Sequence, residues 1–249
     1  MRIISRLDIK GINLIKSVQL EGLRTLGSPE DFACKYYQEG IDEILLMDAV
    51  ASLYGRNSLD SLISQIADNV FVPITVGGGI RTLDDARRIL RSGADKVAVN
   101  TGAVRNPELI KEISETFGSQ ATVLSIDCKR LGDGWEVLIE TGREKTGLNV
   151  VEWAKQGVDL GAGELLITSV DNEGTRKGFD VGLMKALFPI SEVPIIASGG
   201  MGRLEDIEEV SRYTDAIAIA DFFHYNRGSI EEIFSYSSSK GIKVRDYAI

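Results

Sequence analysis

Short apolar runs alternate with longer amphipathic stretches along the chain. Segments such as 83–92, 107–117 and 151–160 place apolar residues at helical spacing, and strand-like runs lie between them. Most of these runs are apolar on both faces, as expected of strands that are covered on both sides. The alternation therefore predicts parallel βα units. The predicted strands are Ile3–Leu7, Glu43–Met47, Val72–Val76, Lys96–Val99, Thr122–Ile126, Glu164–Thr168, Val193–Ala197 and Ala216–Ala220.

The chain also repeats itself. Val72–Gly79 returns as Val193–Gly200, 121 residues later, and the run that begins at Glu43 returns at Glu164 with the same offset. Two halves of about four βα units each predict a single (β/α)8 barrel over residues 1–249, with half-barrels at about 1–120 and 121–249. Two independent domains are the alternative, but each would leave exposed sheet edges.

Composition narrows the class of partner. The 249 residues include 28 Lys and Arg against 37 Asp and Glu, a net charge of −9 without a basic run, which makes nucleic acid a poor partner. No apolar stretch approaches the ~20 residues of a membrane span. Cys34 and Cys128 lie far apart, and the N-terminus lacks the apolar segment of a secretory signal, so we expect a reduced, cytoplasmic protein. Without a His pair or Cys cluster, we expect no metal and no cofactor.

Two carboxylates close equivalent strands of the two halves. Asp8 follows Ile3–Leu7, and Asp127 follows Thr122–Ile126. Active sites of such barrels gather at the C-terminal ends of the strands, so the two aspartates should face each other across the mouth. Opposed carboxylates suit general acid and base catalysis if their environments separate their pKa values. The alternative is that both merely cap strand ends.

Glycine-rich turns follow the third and seventh predicted strands. Exposed backbone N–H groups at such turns form an anion site that glycine allows a phosphate to approach, although tight βα turns need glycine for steric reasons as well. The symmetric pair suggests a ligand with a phosphate at each end. The candidate ligands are Gly79, Asn100 and Thr101 at the first site, and Glu173, Gly174 and Gly200 at the second.

One residue conflicts with the second phosphate site. Asp221 occupies the position equivalent to Thr101, and an ionised carboxylate repels a phosphate unless it turns away or meets a cation. Solvent and Arg203 are both possible destinations for this side chain.

Four charged residues each precede an apolar run at the opposite end of the barrel. Facing inward, two cations and two anions there would neutralise one another at the barrel floor; surface charge is the alternative. They are Arg2, Glu43, Lys96 and Glu164.

Two other reactive side chains are expected to be structural. His224 lies in an aromatic run, which favours packing over proton transfer. Strand alternation turns Cys128 away from the barrel interior.

Several motifs together resemble the HisF family, the cyclase subunits of imidazole glycerol phosphate synthase. The resemblance runs nearly end to end. The segments that carry it are Phe71–Arg81, Gly93–Val97, Asn106–Ile110, Phe117–Gln120, Ile126–Arg130, Gly161–Glu164 and Ala197–Gly200.

The resemblance implies a reaction and a partner. In that family a glutaminase releases ammonia, which crosses the barrel and attacks a phosphoribulosyl-formimino substrate with two phosphates. The products are imidazole glycerol phosphate and an aminoimidazole carboxamide ribonucleotide. The family's catalytic aspartates fall on Asp8 and Asp127, a further lysine on Lys16, and its first phosphate site on Gly79, Asn100 and Thr101. Its ammonia gate falls on Arg2, Glu43, Lys96 and Glu164.

The chain also departs from the family pattern. Where the family usually has Asp-Gly-Arg-Val-Val-Lys in the first loop, this chain has Gly11–Lys16. The family's Asp-Arg-Asp-Gly-Thr stretch becomes Asp171–Thr175, so that Glu173 occupies a substrate-contacting position. Asp221 replaces a serine of the second phosphate site. The main rival function is therefore a paralogue that uses ammonia to amidinate a nucleotide-linked sugar in surface-polysaccharide synthesis. The sister isomerase of histidine synthesis and a non-catalytic barrel that scaffolds a glutaminase are further alternatives.

Overall fold

A computed structural model describes residues 1–49 and 59–247. Its eight parallel strands are β1 (Arg2–Lys10), β4 (Glu43–Asp48), β5 (Ile74–Gly77), β6 (Lys96–Val99), β7 (Thr122–Leu131), β10 (Glu164–Ser169), β11 (Ile195–Ser198) and β12 (Ala216–Ile219). They close into a barrel because β1 pairs with both β4 and β12, and β7 pairs with both β6 and β10. The predicted (β/α)8 barrel is confirmed.

Two antiparallel extensions rise from opposite sides of the barrel. β2 (Asn13–Val18) and β3 (Glu21–Gly27) continue β1, while β8 (Gly134–Ile139) and β9 (Glu144–Asn149) continue β7. These four strands are absent from the sequence-based prediction. Each extension follows a strand that carries one of the two candidate aspartates.

Ten helices complete the described part of the chain. Local signals define where several helices begin. For example, Thr82 and Asp85 form a reciprocal capping box at the start of the helix that begins at Leu83. The helices are α1 (Pro29–Gln38), α2 (Asp60–Ala67), α3 (Leu83–Arg91), α4 (Thr101–Arg105), α5 (Glu108–Phe117), α6 (Val150–Asp159), α7 (Val181–Leu187), α8 (Glu205–Val210), α9 (Asp221–His224) and α10 (Ile230–Ser239). No helix in residues 1–49 and 59–247 is long and apolar enough to cross a membrane.

Two strands begin later than the pattern predicts. β5 starts at Ile74 and β11 at Ile195, each directly after a proline. Proline lacks the backbone N–H that a ladder needs, so Pro73 and Pro194 contribute only their carbonyl groups, which accept hydrogen bonds from Ile44 and Leu165.

Side chains of the strands divide the core into two parts. One set faces the helices and forms the larger core, which includes Ile3, Leu7 and Cys128. The other fills the barrel with an apolar layer: Ile4, Leu45, Ala98, Val123, Leu166, Ile196, Ala216 and Ala218. The outward orientation of Cys128 is confirmed.

The packing role of His224 is also confirmed. Its Nδ1 lies 2.8 Å from the hydroxyl of Tyr36, and the two rings stack. Burial lowers the pKa of His224 to about 4, so the ring is neutral at pH 7.

Candidate active site

Asp8 and Asp127 both line one cavity of about 190 Å³ at the C-terminal ends of the strands. Their strands, β1 and β7, lie four strands apart in either direction around the barrel, and are therefore diametrically opposed. Both side chains are buried. The structure brings together the two carboxylates that the repeat predicts.

Asp8 lies among cations. Its Oδ1 accepts a hydrogen bond of 2.9 Å from Nε of Arg6, within a buried ion pair. Burial alone would raise the pKa of Asp8, but the charges of Arg6 and Lys16 outweigh burial and hold that pKa below its ordinary value. Asp8 is therefore ionised at pH 7.

Asp127 has a different environment. Its Oδ2 accepts one hydrogen bond of 3.1 Å from the side-chain amide of Asn100. Burial, reinforced by the negative charge of Asp8, raises the pKa of Asp127 to about 6, although Arg6 acts in the opposite direction. Two equivalent aspartates thus carry protons over different pH ranges.

Arg6 is the residue of this site that the sequence-based reasoning missed. It lies two positions before Asp8 on β1, so both side chains face the barrel interior. Its Nη1 donates to Thr168 Oγ1 at 2.9 Å on β10 and to Ser198 Oγ at 3.0 Å on β11. The sequence did contain a signal for Arg6, because it is a charged residue at an inward-facing position of an otherwise apolar strand.

The first glycine turn lines the same cavity. Gly78 and Gly79 take positive φ angles of +102° and +71°. A Cβ on Gly78 would lie 2.4 Å from the carbonyl oxygen of Asp48, so the close approach of these backbones requires glycine there.

Asn100 and Thr101 also line the cavity, and each makes hydrogen bonds within the protein, although Oδ1 of Asn100 is buried without a partner. The Asn100 amide donates to Asp127 and, at 3.3 Å, to the Leu138 carbonyl oxygen. The Thr101 hydroxyl accepts the backbone N–H of Glu140 at 3.0 Å, which leaves its own proton free to donate.

The second glycine turn lines a smaller, adjacent cavity. Glu173, Gly174, Gly200 and Asp221 all contribute to its lining, as does Arg6. The structure therefore groups the four residues predicted for the second phosphate site.

Both carboxylates of this second cavity are paired with cations. Glu173 forms a buried ion pair with Lys16 of β2. Asp221 accepts a hydrogen bond of 2.6 Å from Nε of Arg227. Asp221 therefore meets a cation, but the cation is Arg227, on the loop after α9, and not the suggested Arg203.

The four floor residues form a closed ring of ion pairs. Lys96 Nζ lies 2.9 Å from both Glu43 and Glu164, and Arg2 bridges the same two carboxylates from the other side. Each carboxylate thus meets two cations, which offsets the cost of burying the charges. The predicted neutral cluster at the barrel floor is confirmed.

The described residues contain no group of three or more His, Cys, Asp or Glu side chains arranged to hold a metal ion.

Comparison with known proteins agrees with this architecture. A family model described as "Histidine biosynthesis protein" matches residues 2–229. The chain is 58% identical over 207 residues, 83% of its length, to a Legionella pneumophila protein named "Imidazole glycerol phosphate synthase subunit HisF", covering 98% of that protein. The chain belongs to the HisF family. HisF subunits of Pyrococcus furiosus and Exiguobacterium sibiricum are 46% and 44% identical over 98% of both chains.

Membership of the HisF family confirms the resemblance drawn from the motifs. It places the chain among the enzymes of histidine biosynthesis, with a (β/α)8 fold. The aligned relatives are named as subunits.

Proposed function

We propose that this chain is the ammonia-dependent cyclase subunit of an imidazole glycerol phosphate synthase and that Asp8 and Asp127 carry the reaction. Ammonia and the phosphoribulosyl-formimino compound with two phosphates give imidazole glycerol phosphate, aminoimidazole carboxamide ribonucleotide and one molecule of water. Family membership supports the cyclase role. The observation that supports the residue assignment is the pair of opposed, buried carboxylates in one cavity.

The two aspartates divide the acid and base steps. Asp8 stays ionised beside Arg6 and accepts protons from the ammonia nitrogen after that nitrogen has bonded to carbon. Asp127, whose pKa burial raises to about 6, keeps its proton in roughly a tenth of the molecules at pH 7, and that protonated form donates to the nitrogen that leaves when the ribonucleotide product separates. Separated pKa values allow two chemically identical groups to take opposite roles.

The two glycine turns bind the two phosphates. Gly79, Asn100 and Thr101 form the first site, where the free Thr101 proton reaches a phosphate oxygen. Gly174 and Gly200 form the second site, together with Glu173 and Asp221. Because Arg227 neutralises Asp221 and Lys16 neutralises Glu173, neither carboxylate opposes the phosphate with a full negative charge. Arg6 adds positive charge to the same cavity.

The ring at the floor receives ammonia from a glutaminase partner. Arg2, Glu43, Lys96 and Glu164 close the axis of the barrel, so ammonia enters only when at least one ion pair separates. The glutaminase therefore docks over the N-terminal ends of the strands, opposite to the two aspartates.

Turnover of the two-phosphate substrate with an ammonium salt, without glutaminase, tests the proposal. We expect product from the wild-type chain and none from Asp8→Asn or Asp127→Asn. Asp95→Asn is the matched control, because Asp95 lies away from the cavity and its Oδ2 accepts the N–H of Ile74, a bond that asparagine can keep.

Two results would count against this function. Full activity in both aspartate variants would remove the carboxylates from the mechanism. A folded wild-type chain without turnover would exclude the cyclase, and a nucleotide-linked sugar would then be the next substrate to assay.

A further inference from the structure

The barrel interior is layered from its floor to its mouth. The ion-pair ring lies at the floor, the apolar layer follows, and the aspartates lie at the mouth. Ammonia that enters through the ring must cross the apolar layer before it reaches Asp8 or Asp127. The side chains immediately above that layer therefore determine where ammonia arrives.

Arg6 closes one half of the interior above the apolar layer. It starts on β1 and reaches Thr168 on β10 and Ser198 on β11, so it spans the side of the barrel formed by β10, β11, β12 and β1. β12 presents only Ala216 and Ala218 inward, and these small side chains leave room for the long arginine.

The opposite half is open down to the apolar layer. The described lining of the large cavity includes Met47, Ala98 and Ser125 but no residue of β10, β11 or β12. Ala98 belongs to the apolar layer and lies two positions above Lys96 on β6. At this point a single layer of side chains separates the cavity from the floor ring.

Ser125 is a polar side chain at the bottom of this open half. It lies on β7 between Val123 of the apolar layer and Asp127, and strand alternation points all three side chains inward. Ser125 is 1% exposed, and its Oγ has no hydrogen-bond partner. A buried hydroxyl without a partner is costly, and such groups in native structures call for a reason.

Neutral ammonia is a suitable partner for this hydroxyl. Ammonia carries three N–H donors and one lone pair, so it both donates to Oγ and accepts the serine proton. Ammonium has no lone pair to accept the serine proton, and the apolar side chains of Ala98 and Met47, which line the same cavity, disfavour a charged ligand. The guanidinium of Arg6 repels ammonium further.

We propose that Ser125 forms the ammonia-binding site of this enzyme, where ammonia lies two residues below Asp127 before it attacks the substrate. The proposal rests on the cyclase function described above. It makes Ser125 a ligand of the nucleophile, and Arg6 the side chain that directs ammonia to the β7 side.

Steady-state kinetics with an ammonium salt test this site, with the KM expressed as free ammonia. Ser125→Ala removes the hydroxyl, and we expect the KM for ammonia to rise about twofold to tenfold, the range for one uncharged hydrogen bond. The KM for the two-phosphate substrate should not change. Ser125→Thr keeps a hydroxyl and should return the KM for ammonia to the wild-type value. Ser125→Val has the shape of threonine without the hydroxyl and should not.

Ser5→Ala is the matched control. Ser5 is 0% exposed and its Oγ also has no partner, but strand alternation on β1 points it away from the interior. The site would be overturned if Ser125→Ala and Ser5→Ala had the same KM for ammonia. It would also be overturned if Ser125→Ala raised the KM for ammonia and the KM for the two-phosphate substrate together. Absence of wild-type turnover would instead overturn the cyclase function, and this site with it.

Discussion

Asp127→Asn should stabilise the fold while it abolishes turnover. Burial raises the pKa of Asp127 to about 6 in the folded chain, whereas an unfolded chain ionises its aspartates near ~3.9. Between these two values the folded state holds a proton that the unfolded state has lost. The wild-type chain therefore loses stability as the pH rises from about 4 to about 6, and the loss is complete above pH 6.

The magnitude follows from that difference in pKa. Each unit of difference in pKa between the folded and unfolded states is worth about 1.4 kcal/mol. A difference of about two units therefore lowers the free energy of unfolding by about 3 kcal/mol at pH 7. Asparagine carries no charge to bury, and its side-chain oxygen can still accept the hydrogen bond from Asn100. For a domain of this size, about 3 kcal/mol corresponds to a rise in Tm of roughly 6 to 12 °C.

Thermal unfolding at pH 4, 5, 6 and 7 measures this effect. The Tm difference between Asp127→Asn and wild type should be near zero at pH 4 and grow to its full value above pH 6. Asp8→Asn is the comparison of opposite sign, because Arg6 and Lys16 hold the pKa of Asp8 low and its ionised form stabilises the fold. That variant should be less stable than wild type at pH 7, with the deficit shrinking as the pH falls below the ordinary pKa of aspartate.

A single result would refute the reasoning. If Asp127→Asn were as stable as wild type at pH 7, or if both variants shifted Tm in the same direction, the two carboxylates would not differ in protonation as their surroundings imply.

Three further predictions concern the gate and the second phosphate site. In the complex with glutaminase, Lys96→Ala should change the ratio of product formed to glutamine hydrolysed, because it removes one cation of the floor ring; an unchanged ratio would contradict the gate. Asp221→Ser should tighten binding of a two-phosphate ligand in calorimetry, and Arg227→Ala should weaken it, since the second change leaves Asp221 unpaired. Gly200→Ala should lower Tm and weaken the same binding, because its Cβ would lie 2.0 Å from the Gly178 carbonyl oxygen at a φ of +109°; wild-type values would argue against a tight backbone turn.

The sequence alone determined the barrel, because eight apolar runs and a repeat of 121 residues leave few other ways to bury the strands. It also placed both aspartates at the mouth of the barrel, although β1 and β7 continue past Asp8 and Asp127 to Lys10 and Leu131. The hairpin extensions escaped prediction because β3 and β9 are largely exposed and lack the alternation of a half-buried strand.

Only the tertiary structure decided the charge state of the site. Arg6 meets Thr168 and Ser198, which are 162 and 192 residues away in sequence, and these contacts fix a cation beside Asp8. Asp127 occupies the equivalent position on β7, yet its nearest polar partner is an amide. A pKa depends on burial and on the charges nearby, and both arise from chain segments that meet only when the barrel closes.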